Sequence, residues 1–351
     1  MKAIVQFIGI LLTAGLVMAQ GEFSAPVLLV NPDARLIGTG GAGVALADDI
    51  SAVYLNPAGL GFQHNGEFAA HYSKLLPGLY DQFDYLSIAW KGPVRDYGTF
   101  GVALRHYSLG GGDIMHTDGT VLGDYNSSET VVTISHGHNC FPDLGLAFGA
   151  NAKILFSNLA SGDFDPSIEG DGSAFAVMFD LAALWQSPMR NINIADRFSL
   201  APFDFAMTFA NFGTRLDYSD GNHRDPLPLT WRLGMAYHHL LPPDHQLEYL
   251  FDLERIMTSI DADADADMAI VGFFSSFGNE EFMKRINLKL GTEYAFRQMF
   301  FGRAGVNLNP IAEKTSFNLG FGVIYNNIKF DFADEIGTLN NSLRLSVAYL
   351  L

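Results

Sequence analysis

The chain has a single cysteine, Cys140, among 351 residues. No intramolecular disulfide can form, so the fold must be held by burial or by closure of a sheet. Basic residues are scarce: Lys and Arg number 21 against 38 acids, a formal net charge of −17. That balance removes the electrostatic basis for binding nucleic acid. Charge of either sign is also low, at 17% of residues, where soluble domains carry about a quarter. After residue 20 no uninterrupted apolar run reaches the roughly 18 residues of a spanning helix. Motifs of catalysis are missing as well. There is no Gly-x-Ser-x-Gly, no Ser-x-x-Lys and no phosphate loop, and the histidines are scattered with no serine paired to them. The expectation is a protein that is not an enzyme, carries no cofactor and has no nucleic-acid partner.

The first residues, "MKAIVQFIGILLTAGLVMAQG", give Lys2, an apolar run from Ile4 to Val17, and the small-x-small step Val17-Met18-Ala19. This is the pattern of a secretory signal peptide over residues 1–19, cleaved near Ala19. The run is short for a membrane anchor of about 20 residues, and no cysteine follows it to carry a lipid.

From about Gly66 the dominant signal is period two. In "TSFNLGFGVIY", Phe317, Leu319, Phe321, Val323 and Tyr325 share one face, and Ser316, Asn318, Gly320 and Gly322 the other. "RINLKLGTEYAF", "HQLEYLFDLE" and "SLRLSVAYLL" alternate in the same way. Each segment is about ten residues long, the length of a tilted strand crossing a bilayer. A soluble sandwich also alternates, so the number and length of strands must decide. Candidates start near residues 66, 82, 98, 129, 144, 173, 203, 230, 245, 285, 299, 315, 328 and 342. That even count, with short connections alternating with long polar ones, is the habit of a bacterial outer-membrane barrel. Two connections depart from it: Gln186–Pro202 is long for a periplasmic turn, and the last outer connection is short. The fold expected is all-β, a 14-stranded antiparallel transmembrane β-barrel over residues 66–351, in the outer membrane of a Gram-negative bacterium.

Residues 20–65 fit no membrane strand. Glycines at 38, 40, 41, 43, 59 and 61 permit tight turns and close backbone approach, and Asn56-Pro57 is a turn signal. Such a segment needs something around it, and a barrel of this size has a lumen to fill. It is expected to be a hatch in the lumen, with Gly41, Gly43, Asp48, Asp49, Asn56 and Pro57 as its marked residues. Asp48, Asp49 and Asn56 are expected to meet arginines of the wall. Asp84, Lys153, Arg232, Glu248, Asp252, Lys289, Glu293, Arg303 and Arg344 are expected to face the lumen and to pair there, since buried charge needs a partner.

The stretch "ARLIGTGGAGVALADDISAVYLNPAGL" resembles the N-terminal hatch of FadL-like outer-membrane barrels, in its glycine-rich run, Ala47-Asp48-Asp49 and Asn56-Pro57-Ala58. Within that class, four stretches resemble the PorV/PorQ family: "VLLVNPDARLIGTGGAGVA", "LRHYSLGGGDIMHTDGTVLGDY", "GFFSSFGNEEFMKRINLKLGTEYAF" and "KFDFADEIGTLNNSLRLSVAYLL". The middle two are most similar to the PorV branch. The resemblance implies a FadL-related barrel in a type IX-like secretion pathway. In that role it would bind the C-terminal signal domain of exported cargo and carry it from the translocon to the attachment machinery. Its partners would be outer-membrane lipid, secreted proteins with a C-terminal β-domain, and translocon and attachment-complex proteins. The alternative is a FadL-like transporter of hydrophobic small molecules, with an apolar pocket between hatch and wall.

If outer loops grip cargo, their apolar residues are the candidates: Tyr107, Leu109 and Ile114 in the second, and Phe273, Phe274 and Phe277 in the fifth. Exposed apolar residues there need a partner or a packed loop core. The run "DADADAD" sets Asp261, Asp263, Asp265 and Asp267 as hard oxygen donors for calcium, but it lacks the glycine and terminal glutamate of a calcium loop. A solvated acidic loop is the plainer reading. His136, His138 and Cys140 share a strand face at zinc-ligand spacing, yet one flat strand cannot place three ligands tetrahedrally. A polar lumen face near a turn is expected instead.

Overall fold

The computed structural model describes residues 24–75, 77, 82–116, 119–161, 172–188, 192–193, 199–218, 224–241, 244–257, 286–310, 314–337 and 341–351. Fourteen strands close into one antiparallel ring. They are β1 Glu67–Lys74, β2 Asp84–Pro93, β3 Thr99–Met115, β4 Val121–Phe141, β5 Leu146–Ser161, β6 Ser173–Gln186 and β7 Ser199–Gly213. The second half comprises β8 Thr230–Leu241, β9 His245–Ile256, β10 Asn287–Phe296, β11 Phe300–Asn309, β12 Lys314–Tyr325, β13 Ile328–Gly337 and β14 Asn341–Leu350. Every strand pairs with its neighbours in the chain, and β1 closes the ring on β14 from Glu67↔Leu350 to Lys74↔Leu343. A two-residue strand, Ile192–Asn193, adds to the start of β7. In the β7–β8 connection, Leu216–Asp217 pairs with Arg224–Asp225.

The alternation in sequence becomes an inverted burial pattern. In β14, Ser342, Arg344, Ser346 and Ala348 are buried, while Leu343, Leu345, Val347 and Tyr349 are exposed. The same inversion holds in β1, where Glu67, His71 and Ser73 are buried and Phe68 and Tyr72 are exposed. A surface of Phe, Leu, Ile and Trp around a polar interior has hydrocarbon as its natural solvent. Closure leaves no unpaired strand edge in that medium, where each unsatisfied backbone group would cost several kcal/mol. Among the described residues no helix is long and apolar enough to cross a membrane.

Short turns at residues 94–98, 142–145, 297–299 and 326–327, and Asp244 before β9, gather at one end, with the start of β1 and the end of β14. Short turns mark the periplasmic end, so the opposite end, with the β5–β6, β7–β8 and β9–β10 connections, is the outer mouth.

Three expectations need correction. The stretch Leu109–Ser128 is mostly strand: β3 and β4 stay paired from Gly110↔Ser127 to Met115↔Val121. They rise past the last β2 pair, Tyr85↔Tyr107, with β5 alongside as far as Asn126↔Ser161, and beyond Gly111↔Asn126 as a two-stranded ribbon. Three consecutive glycines hid the alternation there. Asp84 takes the outward phase, accepting from Tyr72 Oη at 2.6 Å, and Tyr85 beside it is the buried lumen residue. The third concerns His136, His138 and Cys140, which lie on the outward face of β4, where Ile134 is exposed, and not on the lumen face. His136 Nε2 lies 2.7 Å from the carbonyl oxygen of Tyr97.

Residues 24–66 pack against inward-facing side chains of strands all round the ring. They fold as short turns: a 3-10 turn Pro26–Leu28, the helices α1 Ala34–Gly38 and α2 Ala52–Leu55, and a 3-10 turn Pro57–Phe62. Asp33 caps α1, its carboxylate accepting from Arg35 N at 2.7 Å. Asn56 caps the last turn, accepting from Ala58 N at 3.0 Å, with Pro57 at the first position, where a missing N–H costs nothing.

Candidate functional site

The N-terminal segment meets the wall in three ways. The first is a closed ring of ion pairs. Arg35 Nη1 lies 2.8 Å from Asp49 Oδ2, and Asp49 Oδ2 lies 2.9 Å from Lys329 Nζ. Lys329 reaches Asp331 at 3.4 Å, and Asp331 reaches Arg303 at 2.6 Å. Arg303 Nε bonds Glu293, and Glu293 returns to Arg35 Nη2 at 2.7 Å. Three cations and three anions alternate, so the buried ring is neutral. Burial alone would raise the Asp49 carboxyl, but Lys329, Arg35 and the Ser51 hydroxyl hold it well below the usual carboxylate range. Burial works against the Arg35 cation too, and Asp48, Glu293 and Asp49 outweigh it.

The second contact is backbone on backbone. Wall glycines face the segment where no side chain fits. A Cβ on Gly291 would lie 2.3 Å from Thr39 O, and one on Gly305 would lie 2.2 Å from Gly40 N. On the opposite wall a Cβ on Gly149 would lie 2.2 Å from Pro57 C. Gly40 itself has φ +72 and no room beside Val306 N, a conformation and a clearance that only glycine meets without strain.

The third contact is carboxylate to amide. Asp252 Oδ2 accepts from Gly43 N at 2.7 Å and Val44 N at 3.0 Å. Glu129 Oε2 accepts from Val27 N at 3.0 Å, and Ser346 Oγ from Ala34 N at 2.9 Å. Buried backbone donors that have no helix or sheet partner are thereby satisfied.

Of the marked residues, Asp48 and Asp49 meet Arg35 of their own segment and, for Asp49, the wall lysine Lys329. They do not meet wall arginines. Asn56 bonds within the segment, donating to Val44 O at 2.6 Å. Gly43 donates to Asp252, Gly41 faces the stem of Lys289, and Pro57 sits against Gly137 and Gly149. Arg35 and Lys329 carry the ring and were missed. The signal for Lys329 was its phase in "NIKFDFAD", with Asp331 two residues on the same face.

Tyr107 is buried in the lumen against Tyr85, in an apolar cluster with Val27, Leu28, Leu155 and Met178. Leu109 packs at the edge of that cluster, and Ile114 is half-buried in the ribbon. Phe273, Phe274, Phe277 and the acids Asp261, Asp263, Asp265 and Asp267 lie outside the described residues, as does the leader up to Ala19. Among the described residues no group of three His, Cys, Asp or Glu is arranged to hold a metal ion.

Between segment and wall, in the outer half, lies a cavity of about 310 Å3. Leu29, Val30, Leu36, Ile37, Leu55 and Leu75 form its apolar side. Arg232, Glu254, Lys289, Glu335 and Arg344 form the polar side. Glu254 receives both Arg232 at 2.6 Å and Lys289 at 2.8 Å.

The family model described as "Type IX secretion system protein PorV" matches residues 20–263. Among solved structures, the chain is similar to the Ralstonia pickettii toluene transporter TbuX, with TM-score 0.51, 13% identity, and coverage of 92% of this chain and 97% of that one. The CymD monoaromatic hydrocarbon channel is similar with TM-score 0.52 and 12% identity, over 92% and 97%. A Pseudomonas aeruginosa FadL homologue gives TM-score 0.46 and 12% identity, over 93% and 99%. At identities this low, TbuX and CymD show the fold alone. No curated protein sequence matches the chain.

Proposed function

Because the chain belongs to the family of the type IX secretion system protein PorV, we propose that it is a cargo-binding barrel of that kind of secretion pathway. In this reading it binds the C-terminal signal domain of exported proteins at its outer mouth and hands them from translocon to attachment machinery. It acts by recognition and catalyses no reaction. Residues 20–65 are its hatch, and residues 1–19 are a leader removed near Ala19.

The observation that carries the reading is the lock between segment and wall. A barrel whose lumen holds a segment pinned by buried ion pairs, glycine contacts and capped amides is built to stay closed, which leaves the outer mouth as the working surface. The β3–β4 ribbon fits that role. Gly112–Met115 extends past the last β5 pair by roughly 13 Å at about 3.3 Å per residue, with Met115 and Val121 exposed. Strand ribbons present both backbone groups and side chains to a β-rich partner.

The test is affinity purification of the tagged protein from its native outer membrane in mild detergent, followed by mass spectrometry. Recovery of exported proteins sharing a C-terminal β-domain, or of a very large translocon barrel, supports the reading. Recovery of the barrel alone with lipid or fatty acid overturns it. Deleting Gly272–Phe277 should abolish surface attachment of cargo and leave the barrel in the membrane.

A second reading, transport of hydrophobic small molecules, is favoured by the apolar side of the cavity. Its five charged side chains weigh against it, because an apolar ligand there would have to leave ionic groups without water.

A further inference from the structure

The order of contacts along residues 24–66 runs parallel to the barrel axis. Ser24 N donates to Pro226 O at 3.1 Å, and Ser24 Oγ to Asp225 at 2.8 Å, both in the β7–β8 connection at the outer mouth. Ala25, Val27 and Leu28 are buried among Tyr85, at the outer end of β2, its pair partner Tyr107, and Leu155 and Met178. Asn31 O accepts from Arg344 Nε at 3.2 Å. Arg35 enters the ion-pair ring deeper in. Gly61 then lies against Ala147 and the His138–Asn139 backbone, and Gln63 O accepts from Thr99 Oγ1 at 2.6 Å. These last partners flank periplasmic turns.

From this we propose that the segment enters the barrel from the outer mouth, so that Ser24 is displayed at the cell surface and the Ala25–Leu28 turn is an outward-facing stopper. The proposal goes beyond the secretion reading and stands on the barrel's orientation alone. It has a mechanical consequence. The other end of the segment is tied at Glu67 to β1 in the periplasmic rim. A partner on the cell surface can therefore reach the segment at Ser24, whereas its periplasmic side is continuous with β1. It also has a consequence for assembly. Lys329, Ser346 and Gly320, which touch the segment, come from the last three strands. These contacts are therefore complete only once β12–β14 have joined the wall.

The test uses single cysteines in the full-length protein with Cys140→Ser, on intact cells, with a maleimide whose polyethylene glycol chain is too large for porins. Ser24→Cys is compared with Val121→Cys on the ribbon and Asp143→Cys in a periplasmic turn. Heat-dependent gel migration confirms that each barrel is folded. Expected is reaction of Ser24→Cys on intact cells to the same extent as Val121→Cys, with Asp143→Cys reacting only after permeabilisation. Reaction of Ser24→Cys only after permeabilisation, or under neither condition, overturns the proposal. An exchange of behaviour between Val121→Cys and Asp143→Cys overturns the orientation on which it stands. Neither result bears on whether cargo is bound.

Discussion

Gly305→Ala tests whether the segment is pressed on the wall. The added Cβ would lie 2.2 Å from Gly40 N and from Thr39 C, and 2.5 Å from Thr39 O. All three are main-chain atoms, so no side chain can swing aside. Restoring an ordinary contact needs a retreat of more than about 1 Å by segment or strand, and overpacking of this kind costs about 1–3 kcal/mol. The upper end is expected, because Thr39 is also pressed on the adjacent strand, where a Cβ on Gly291 would lie 2.3 Å from Thr39 O. For a protein of this size about 3 kcal/mol lowers the midpoint of thermal unfolding by roughly 4–6 °C.

The matched control is Gly302→Ala on the same strand. Gly302 faces outward, and a Cβ there meets nothing within 4 Å. Both variants are read in detergent by the temperature at which the folded gel band converts to the unfolded one, and by protease protection of residues 24–66. The expectation is a lowered midpoint or a cleavable segment for Gly305→Ala, and neither for Gly302→Ala. Identical behaviour of the two in both assays would refute the close-packed lock.

Other outcomes follow from the same contacts. Glu293→Gln removes the anion between Arg35 and Arg303 and leaves two buried guanidinium groups facing each other. Breaking one side of such a pair costs about 3–5 kcal/mol, to be read from urea unfolding in micelles. Asp49→Asn should cost stability at neutral pH, and the gap from wild type should depend on pH. The folded-state carboxyl is held low, so its contribution is complete above the ordinary value of about 3.9. That contribution is lost as pH falls through the lower folded value. The gap should therefore be flat from pH 5 to 8 and close only in stronger acid; a gap that closed between pH 5 and 7 would contradict the pairing. Val27→Asp puts a second carboxylate beside Glu129 in an apolar cluster, at a side chain with no exposure. It should free the outer stopper, seen as protease cleavage near residue 28 on intact cells while the barrel band persists.

The barrel was legible because its rule is local. A large residue outward and a small or charged one inward, repeated every two positions, fixes both strand and face. That is why the starts at Thr230, His245 and Ile328 fall where the alternation begins. The rule failed where its two inputs failed. Gly110–Gly112 have no side chains to alternate, so the ribbon read as a loop. At Asp84 the polar residue took the outward phase because the strand end is at the rim, where a carboxylate can accept from Tyr72. The segment in the lumen was legible only as composition. Its glycines implied close approach, but which wall atom each one meets depends on the shear of the whole ring. Arg35 was invisible for the same reason, since its partners Asp49 and Glu293 lie 14 and 258 residues away.

The lock also bears on whether this barrel works as a binder or as a channel. To clear the lumen, the segment must give up the wall pairs Arg35–Glu293 and Asp49–Lys329. It must also give up the amide caps on Asp252, Glu129 and Ser346. Water entering the vacated lumen would resolvate these groups, so the four hydrogen bonds on Asp252, Glu129 and Ser346 count at about 0.5–1.5 kcal/mol each, a sum of about 2–6 kcal/mol before ion pairs and apolar contacts are counted. A micromolar ligand supplies about 8 kcal/mol in all, and only its preference for the open form can shift the equilibrium. The segment therefore leaves the lumen only for a ligand or partner whose preference for the open form exceeds that cost. On the proposed cargo-handling reading that agent is a macromolecule at the outer mouth, where Ser24 meets the β7–β8 connection.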